Sequence, residues 1–229
     1  MSEIILKAQN IHKAFFHPIK TQILRGLNLI VSKGETVAIM GRSGEGKSTL
    51  LHILGTLETP CKGSLEIAHH DAAHFSKTTI RNKHIGFVFQ SFHLLEDYSV
   101  LDNVLMPSRI ARNSVQRGSA AHTKAVHFLH LVGLSDRIHH NAKLLSGGEK
   151  QRATIARALC NDPDIILADE PSGNLDSQNA AIIHELLLSF AKNNNKALIV
   201  VTHDQELAAL CDTQYRLKSG ILCSSCGAS

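Results

Sequence analysis

The stretch TVAIMGRSGEGKSTLL, residues 36–51, constrains this chain more than any other. Thr36 to Met40 is a short apolar run of the kind found in a strand covered on both faces. Gly41, Gly44 and Gly46 follow and let the backbone approach a ligand without Cβ clashes. Gly41-x4-Gly46-Lys47-Ser48 fits the phosphate-loop pattern G-x-x-x-x-G-K-[ST]. In that pattern loop N–H groups and a helix N-terminus meet an anionic phosphate chain. Lys47 is then expected to reach the β- and γ-phosphates, and the Ser48 hydroxyl to bind Mg²⁺. A glycine-rich turn that merely precedes a lysine is the alternative. Strand, loop and helix stand here in the required order, which favours the phosphate loop.

The remaining buried strands are expected to carry their functional residues at their C-terminal ends. Ile85–Phe89 ends in Gln90, and Ile165–Ala168 ends in Asp169-Glu170. Ala197–Val201 ends in Thr202-His203. Asp169 after an apolar strand suits a Mg²⁺-linked carboxylate. Glu170 can act as general base on the attacking water. His203 can hydrogen-bond the γ-phosphate or that water, and Gln90 can touch metal or water. A strand-end acid is often only a helix cap, and a lone histidine is often structural. Four such ends together point to one active site.

Between Ser91 and about Cys160 the pattern turns helical. Ser99 and Asp102 resemble a capping box that opens a helix to about Ala111, with Pro107 expected to bend it. From Ala120 to Val132, Ala125, Phe128, Leu129 and Val132 keep amphipathic spacing, and Gly133 stops the helix. A helical subdomain at about residues 91–160 is therefore expected inside an α/β core. A later helix, about Ser177 to Lys192, is expected to turn Ile182, Ile183, Leu186, Leu187 and Phe190 inward. Before the phosphate loop, Ile4–Phe16 and Gln22–Val31 read as strands joined by a turn at His17-Pro18. Either Phe15 or Phe16 could stack on an adenine base, or simply fill the core.

Leu145-Ser146-Gly147-Gly148-Glu149 opens another helix. Ser146 suits its N-cap, and the two glycines give an anion access to N–H groups. One chain cannot easily aim two such helix starts at one γ-phosphate, but two chains packed head-to-tail can. Simple capping by Ser146 leaves the double glycine without a role.

Composition narrows the setting. The chain has 229 residues, one domain's worth, and a net charge of +4 with Lys and Arg dispersed. That argues against nucleic acid as the ligand. MSEIILKAQN does not read as a signal peptide, and no apolar run is long enough to span a bilayer. A cytosolic protein with reduced cysteines is expected. Cys223-x-x-Cys226 reads as an exposed tail, and most of the fifteen histidines as surface residues.

Taken together, GRSGEGKST, Gln90, LSGGEKQR, IILADEPSGNLD and His203 resemble the ATP-binding cassette family across nearly the whole chain. The resemblance implies a P-loop NTPase (RecA-like) α/β core, an antiparallel β subdomain and an inserted helical subdomain, all within one nucleotide-binding domain, 1–229. It implies ATP hydrolysis with Mg²⁺ in a head-to-tail dimer coupled to transmembrane permease subunits at the cytoplasmic face of the inner membrane. By position, nucleotide contacts are implied for Gly41, Ser43, Gly44, Gly46, Lys47, Ser48 and Thr49, and metal contacts for Ser48, Gln90 and Asp169. Phe15 is implied as the adenine-stacking ring. Ser146, Gly147, Gly148 and Asp176 are implied at the partner's nucleotide. DEPSGNLD resembles the lipoprotein-releasing and macrolide-exporter ATPases, although their usual form carries Thr where Ser172 stands. LLHILGTLETPCKGSLEI and HLLEDYSVLDNVLMP favour the lipoprotein-releasing type. A cell-division ATPase that moves no substrate is a rival. Soluble DNA-repair ATPases share the signature helix but carry long coiled-coil insertions, and no sustained heptads occur here. Glu45 departs from the family's small residue and is expected to point away from the phosphates.

Overall fold

The computed structural model describes residues 3–16 and 21–224. The turn predicted at His17-Pro18 lies outside the described residues. Two sheets organise the chain. The first has strand order β2-β1-β4-β5, from β1 (Ile4–Phe15), β2 (Thr21–Ser32), β4 (Lys62–Ile67) and β5 (His70–Asp71), and every pair in it is antiparallel. The second has order β10-β9-β3-β8-β7-β6, from β3 (Thr36–Met40), β6 (Ile85–Val88), β7 (Ile165–Asp169), β8 (Ala197–Val201), β9 (Thr213–Lys218) and β10 (Ile221–Ser224). All its pairs are parallel except β9–β10.

The parallel strands read as apolar runs because both of their faces are covered. All five side chains of β8 are fully buried. Their alternation divides them between two cores. Leu198 and Val200 join the core under the helices, whereas Ala197, Ile199 and Val201 join the core shared with the first sheet. β7 divides likewise, with Ile166 and Ala168 on one side and Ile165 and Leu167 on the other. Each fully buried aliphatic side chain contributes about 1.5–3 kcal/mol, so this central pair is a rigid support. α1 (Lys47–Leu54) lies in the second core with Leu50, Leu51, Ile53 and Leu54 buried.

The other side of the sheet is covered by helices. α3 (Val100–Ile110), α4 (Ala120–Leu131) and α5 (Gly147–Leu159) share one apolar core with α6 (Ser177–Asn193). The α4 stripe is inward as its spacing predicts, with Ala125, Phe128, Leu129 and Val132 buried. Phe128 meets Phe190 of α6 edge-on at 5.9 Å between ring centroids. Ser99 caps α3 through the Asp102 N–H, and the Asp102 carboxylate takes the Ser99 hydroxyl rather than its N–H, so the capping box is half made. α2 (Lys77–His84) precedes β6, and α7 (Gln205–Ala209) follows β8.

Three expectations are corrected. Ile182 is 37% exposed, because the buried stripe of α6 runs through Ile183, Leu187 and Phe190 and extends to His184 and Leu188 instead. β6 stops at Val88, one residue short of the predicted end. Cys223 is exposed but sits on β10 opposite Arg216 rather than in a tail, and Cys226 lies outside the described residues.

Candidate nucleotide site

β3, β8 and β7 are adjacent and parallel, and β6 lies beside β7, so their C-terminal ends open on one edge of the sheet. A cleft of about 540 Å³ lies there. The loop from Gly41 to Thr49 walls one side, with Arg42 included and Glu45 excluded. Gln90, Asp169, Glu170 and His203 close the other side. The four strand ends named from sequence are therefore brought together.

The loop has the shape its glycines allow. Gly46 caps α1 at φ 96°, a left-handed conformation costly for other residues, and a Cβ there would lie 2.5 Å from Ile23 Cγ2. Lys47 Nζ donates to the carbonyls of Gly41 at 2.9 Å and Arg42 at 3.2 Å, so its ammonium folds over the loop. The first residues of α1, Lys47, Ser48 and Thr49, line the cleft, and a helix N-terminus there is a setting for phosphate oxygens. Glu45 does turn away from the cleft. Its Oε2 accepts the Arg42 N–H at 2.8 Å, and the side chain faces a separate hollow with Arg216 and Lys218. The acid is thus a fastener of the loop.

Ser48 of the loop and Asp169 of the opposite wall both line the cleft. Burial pushes the Asp169 carboxyl above its ordinary value, and the Ser48 side chain pulls against that. Glu170 sits at φ 45°, in the left-handed region, with its N–H held by the Val201 carbonyl at 2.8 Å. Its Oε2 accepts from His203 Nδ1 at 2.9 Å, from the His203 N–H at 3.3 Å and from Thr202 Oγ1 at 3.2 Å. The acid and the histidine are thus one hydrogen-bonded unit.

Other expected residues stand outside this cleft. Phe15 is 41% exposed at the end of β1, with Lys13 Nζ 5.1 Å from its ring centroid. Ser146 caps α5 in a full capping box with Glu149. Gly148 has a reason within one chain, because a Cβ there would lie 2.4 Å from Asn179 Oδ1 of α6. Capping plus close helix packing therefore accounts for one of the two glycines. Gly147 has no such neighbour nearer than 3.8 Å. Asp176 caps α6, and its hydrogen bonds with Asn179 hold its carboxyl below the usual range.

Sequence reasoning missed two buried polar groups next to the cleft. Gln151 of α5 is 1% exposed and donates to the carbonyls of Pro171 at 2.7 Å and Phe89 at 3.4 Å. It ties the signature helix to the residues beside Gln90 and Glu170. His184 of α6, also buried, is the second. A polar residue on the apolar face of a predicted helix was the available signal for both.

The ABC transporter family profile matches residues 24–173. A lipoprotein-releasing system ATP-binding protein LolD from Protochlamydia amoebophila is 59% identical over 96% of this chain and 97% of its own. The chain belongs to the ABC transporter family. It is an ATPase cassette with the P-loop NTPase core that the sequence implied. A LolD protein from Hahella chejuensis is 43% identical over 97% of this chain and 96% of its own. Among solved structures, a dimeric bacterial ABC transporter cassette superposes with TM-score 0.88 at 35% identity, over 97% of this chain and 100% of that one. A post-hydrolysis dimeric state of the same cassette, bound to ADP and Pi, superposes with TM-score 0.87.

Proposed function

We propose that this cassette is the ATP-hydrolysing subunit of a membrane complex that releases lipoproteins from the inner membrane. The observation that carries this is 59% identity with a LolD protein along nearly the full length of both chains. The likeness extends well beyond the phosphate loop, which all cassettes share. The whole chain acts as one nucleotide-binding domain, with residues from about 91 to 160 as its helical subdomain. Among the described residues no helix is long and apolar enough to cross a membrane. In this reading permease subunits supply the membrane part of the complex, and this chain docks on their cytoplasmic face.

In this reading Gly41, Ser43, Gly44, Gly46, Lys47, Ser48 and Thr49 cradle the ATP phosphates, and Phe15 stacks on the adenine. The Ser48 hydroxyl, the Asp169 carboxylate and Gln90, which line the same cleft, are hard oxygen donors suited to Mg²⁺. Mg²⁺ would neutralise charge on the phosphate oxygens. Glu170 accepts a proton from the attacking water. His203, bonded to Glu170, is placed to donate to the γ-phosphate as negative charge gathers there. A second copy, packed head-to-tail, brings Ser146, Gly147, Gly148 and Asp176 to the far side of the nucleotide. The N–H groups of α5 then face the γ-phosphate.

Affinity purification of the tagged full chain from detergent-solubilised membranes tests the partner. Recovery of a polytopic permease of the lipoprotein-releasing type is the expected result. Recovery of a macrolide-exporter permease or of a cell-division membrane protein would overturn the assignment.

A further inference from the structure

His184 lies on α6 and is 6% exposed, inside a helix face that is otherwise apolar. A buried imidazole needs a partner, since leaving one unpaired costs about 1–3 kcal/mol. Its Nε2 lies 2.8 Å from Ser172 Oγ, and Ser172 is itself 8% exposed. The same Nε2 lies 3.7 Å from Asp204 Oδ2. Ser172 stands two residues after Glu170, and Asp204 stands one residue after His203. The ring is therefore wedged between the two segments that carry the reacting side chains.

The connections close into a circuit. Asp204 donates its N–H to Thr202 Oγ1 at 3.0 Å, and Thr202 Oγ1 donates to Glu170 Oε2 at 3.2 Å. Glu170 leads to Ser172 through a turn in which the Gly173 N–H bonds the Glu170 carbonyl at 3.0 Å. Ser172 leads back to His184, whose Nε2 lies in contact with Asp204 Oδ2 at 3.7 Å without a hydrogen bond. Glu170 sits on this circuit in a left-handed conformation at φ 45°. Such a backbone persists only where its surroundings over-determine it. Burial pushes the His184 ring below its ordinary value, against the pull of Asp204 and Glu206 on α7. A neutral ring at neutral pH suits a hydrogen bond to a serine.

We propose that His184 is a positioning residue for ATP hydrolysis, holding the segment of Glu170 and the segment of His203 in register through Ser172 and Asp204. It touches neither nucleotide nor water. Its action is to keep the Glu170 carboxylate and the His203 ring at the separation that the chemistry needs. A misplacement of about 1 Å at a reacting group can cost on the order of 100-fold in rate. The inference rests on the roles proposed above for Glu170 and His203.

The test compares ATP turnover of the full chain carrying His184→Leu, His184→Gln, Ser172→Ala, and His184→Leu with Ser172→Ala. The leucine variant is expected to lower kcat about tenfold and leave KM for ATP within about twofold, because the phosphate loop is untouched. Glutamine can place an amide Nε2 near the imidazole Nε2 and is expected to recover most of the rate. Ser172→Ala is expected to match the leucine variant, and the double variant to be no slower than either. Thermal melts show which variants are folded. Should the leucine variant not fold, Ser172→Ala and His184→Gln carry the same comparison. Wild-type kcat in folded His184→Leu or Ser172→Ala overturns the proposal. So does a loss that glutamine fails to recover. Glu170→Gln, run alongside, separates the two readings. If it turns over normally, the assignment of the base fails. If it is inactive while the His184 variants are normal, only the positioning role fails.

Discussion

Glu170→Gln is expected to bind ATP within about twofold of the native affinity and to hydrolyse it at least about 100-fold more slowly. The amide is nearly isosteric, and its oxygen can still accept from His203 and Thr202, so the unit on that wall of the cleft survives. What it loses is the ability to take a proton from water. Binding groups on the loop from Gly41 to Thr49 are unchanged, so affinity stays. Because hydrolysis no longer separates the two copies, an ATP-bound dimer should accumulate. Size-exclusion chromatography with light scattering in ATP reads the dimer, and a phosphate-release assay reads turnover. Native turnover in the folded variant would place the base elsewhere.

Heterodimers built from Lys47→Ala and Ser146→Arg subunits are expected to hold ATP at one of their two sites. Lys47→Ala alone removes the cation that folds over the phosphate loop and should abolish binding at its own site. Ser146→Arg puts a long side chain at the start of α5, where the partner's nucleotide would lie. It also removes a capping hydrogen bond, a loss of about 1 kcal/mol, so its fold is checked by melting. If Ser146 acts on the nucleotide held by the other subunit, the heterodimer gathers both lesions at one site and leaves the other intact. Either homodimer carries a lesion at every site and should bind little. If Ser146 acted within its own chain, each heterodimer site would carry one lesion, and no intact site would appear. Nucleotide occupancy of isolated heterodimers, held together by their membrane partner, distinguishes the two.

Much of this was legible because the signals are local. The apolar runs of β3, β7 and β8, which lead into the phosphate loop, Asp169 and Thr202, mark parallel strands buried on both faces, and their C-terminal ends did converge. The i, i+3, i+4 spacing of α4 likewise reported its buried face. Other features depend on partners remote in sequence. Nothing near Gln151 says that the carbonyls of Phe89 and Pro171 will meet it. On α6 the expected inward Ile183, Leu187 and Phe190 are buried but Ile182 is not, and His184 is buried because Ser172, twelve residues earlier, satisfies it inside. The restraint on Glu45 was visible only once the Arg42 N–H was seen to turn toward it.

In the proposed function, ATP turnover by this chain drives lipoprotein release. The complex copurified with its permease can be placed in proteoliposomes that also hold an acylated lipoprotein. After ATP and Mg²⁺ are added, lipoprotein in the soluble fraction is measured over time. Release that requires ATP and is lost with Glu170→Gln is the predicted result. Vigorous ATP hydrolysis by the native complex, with all lipoprotein still in the bilayer, would contradict it.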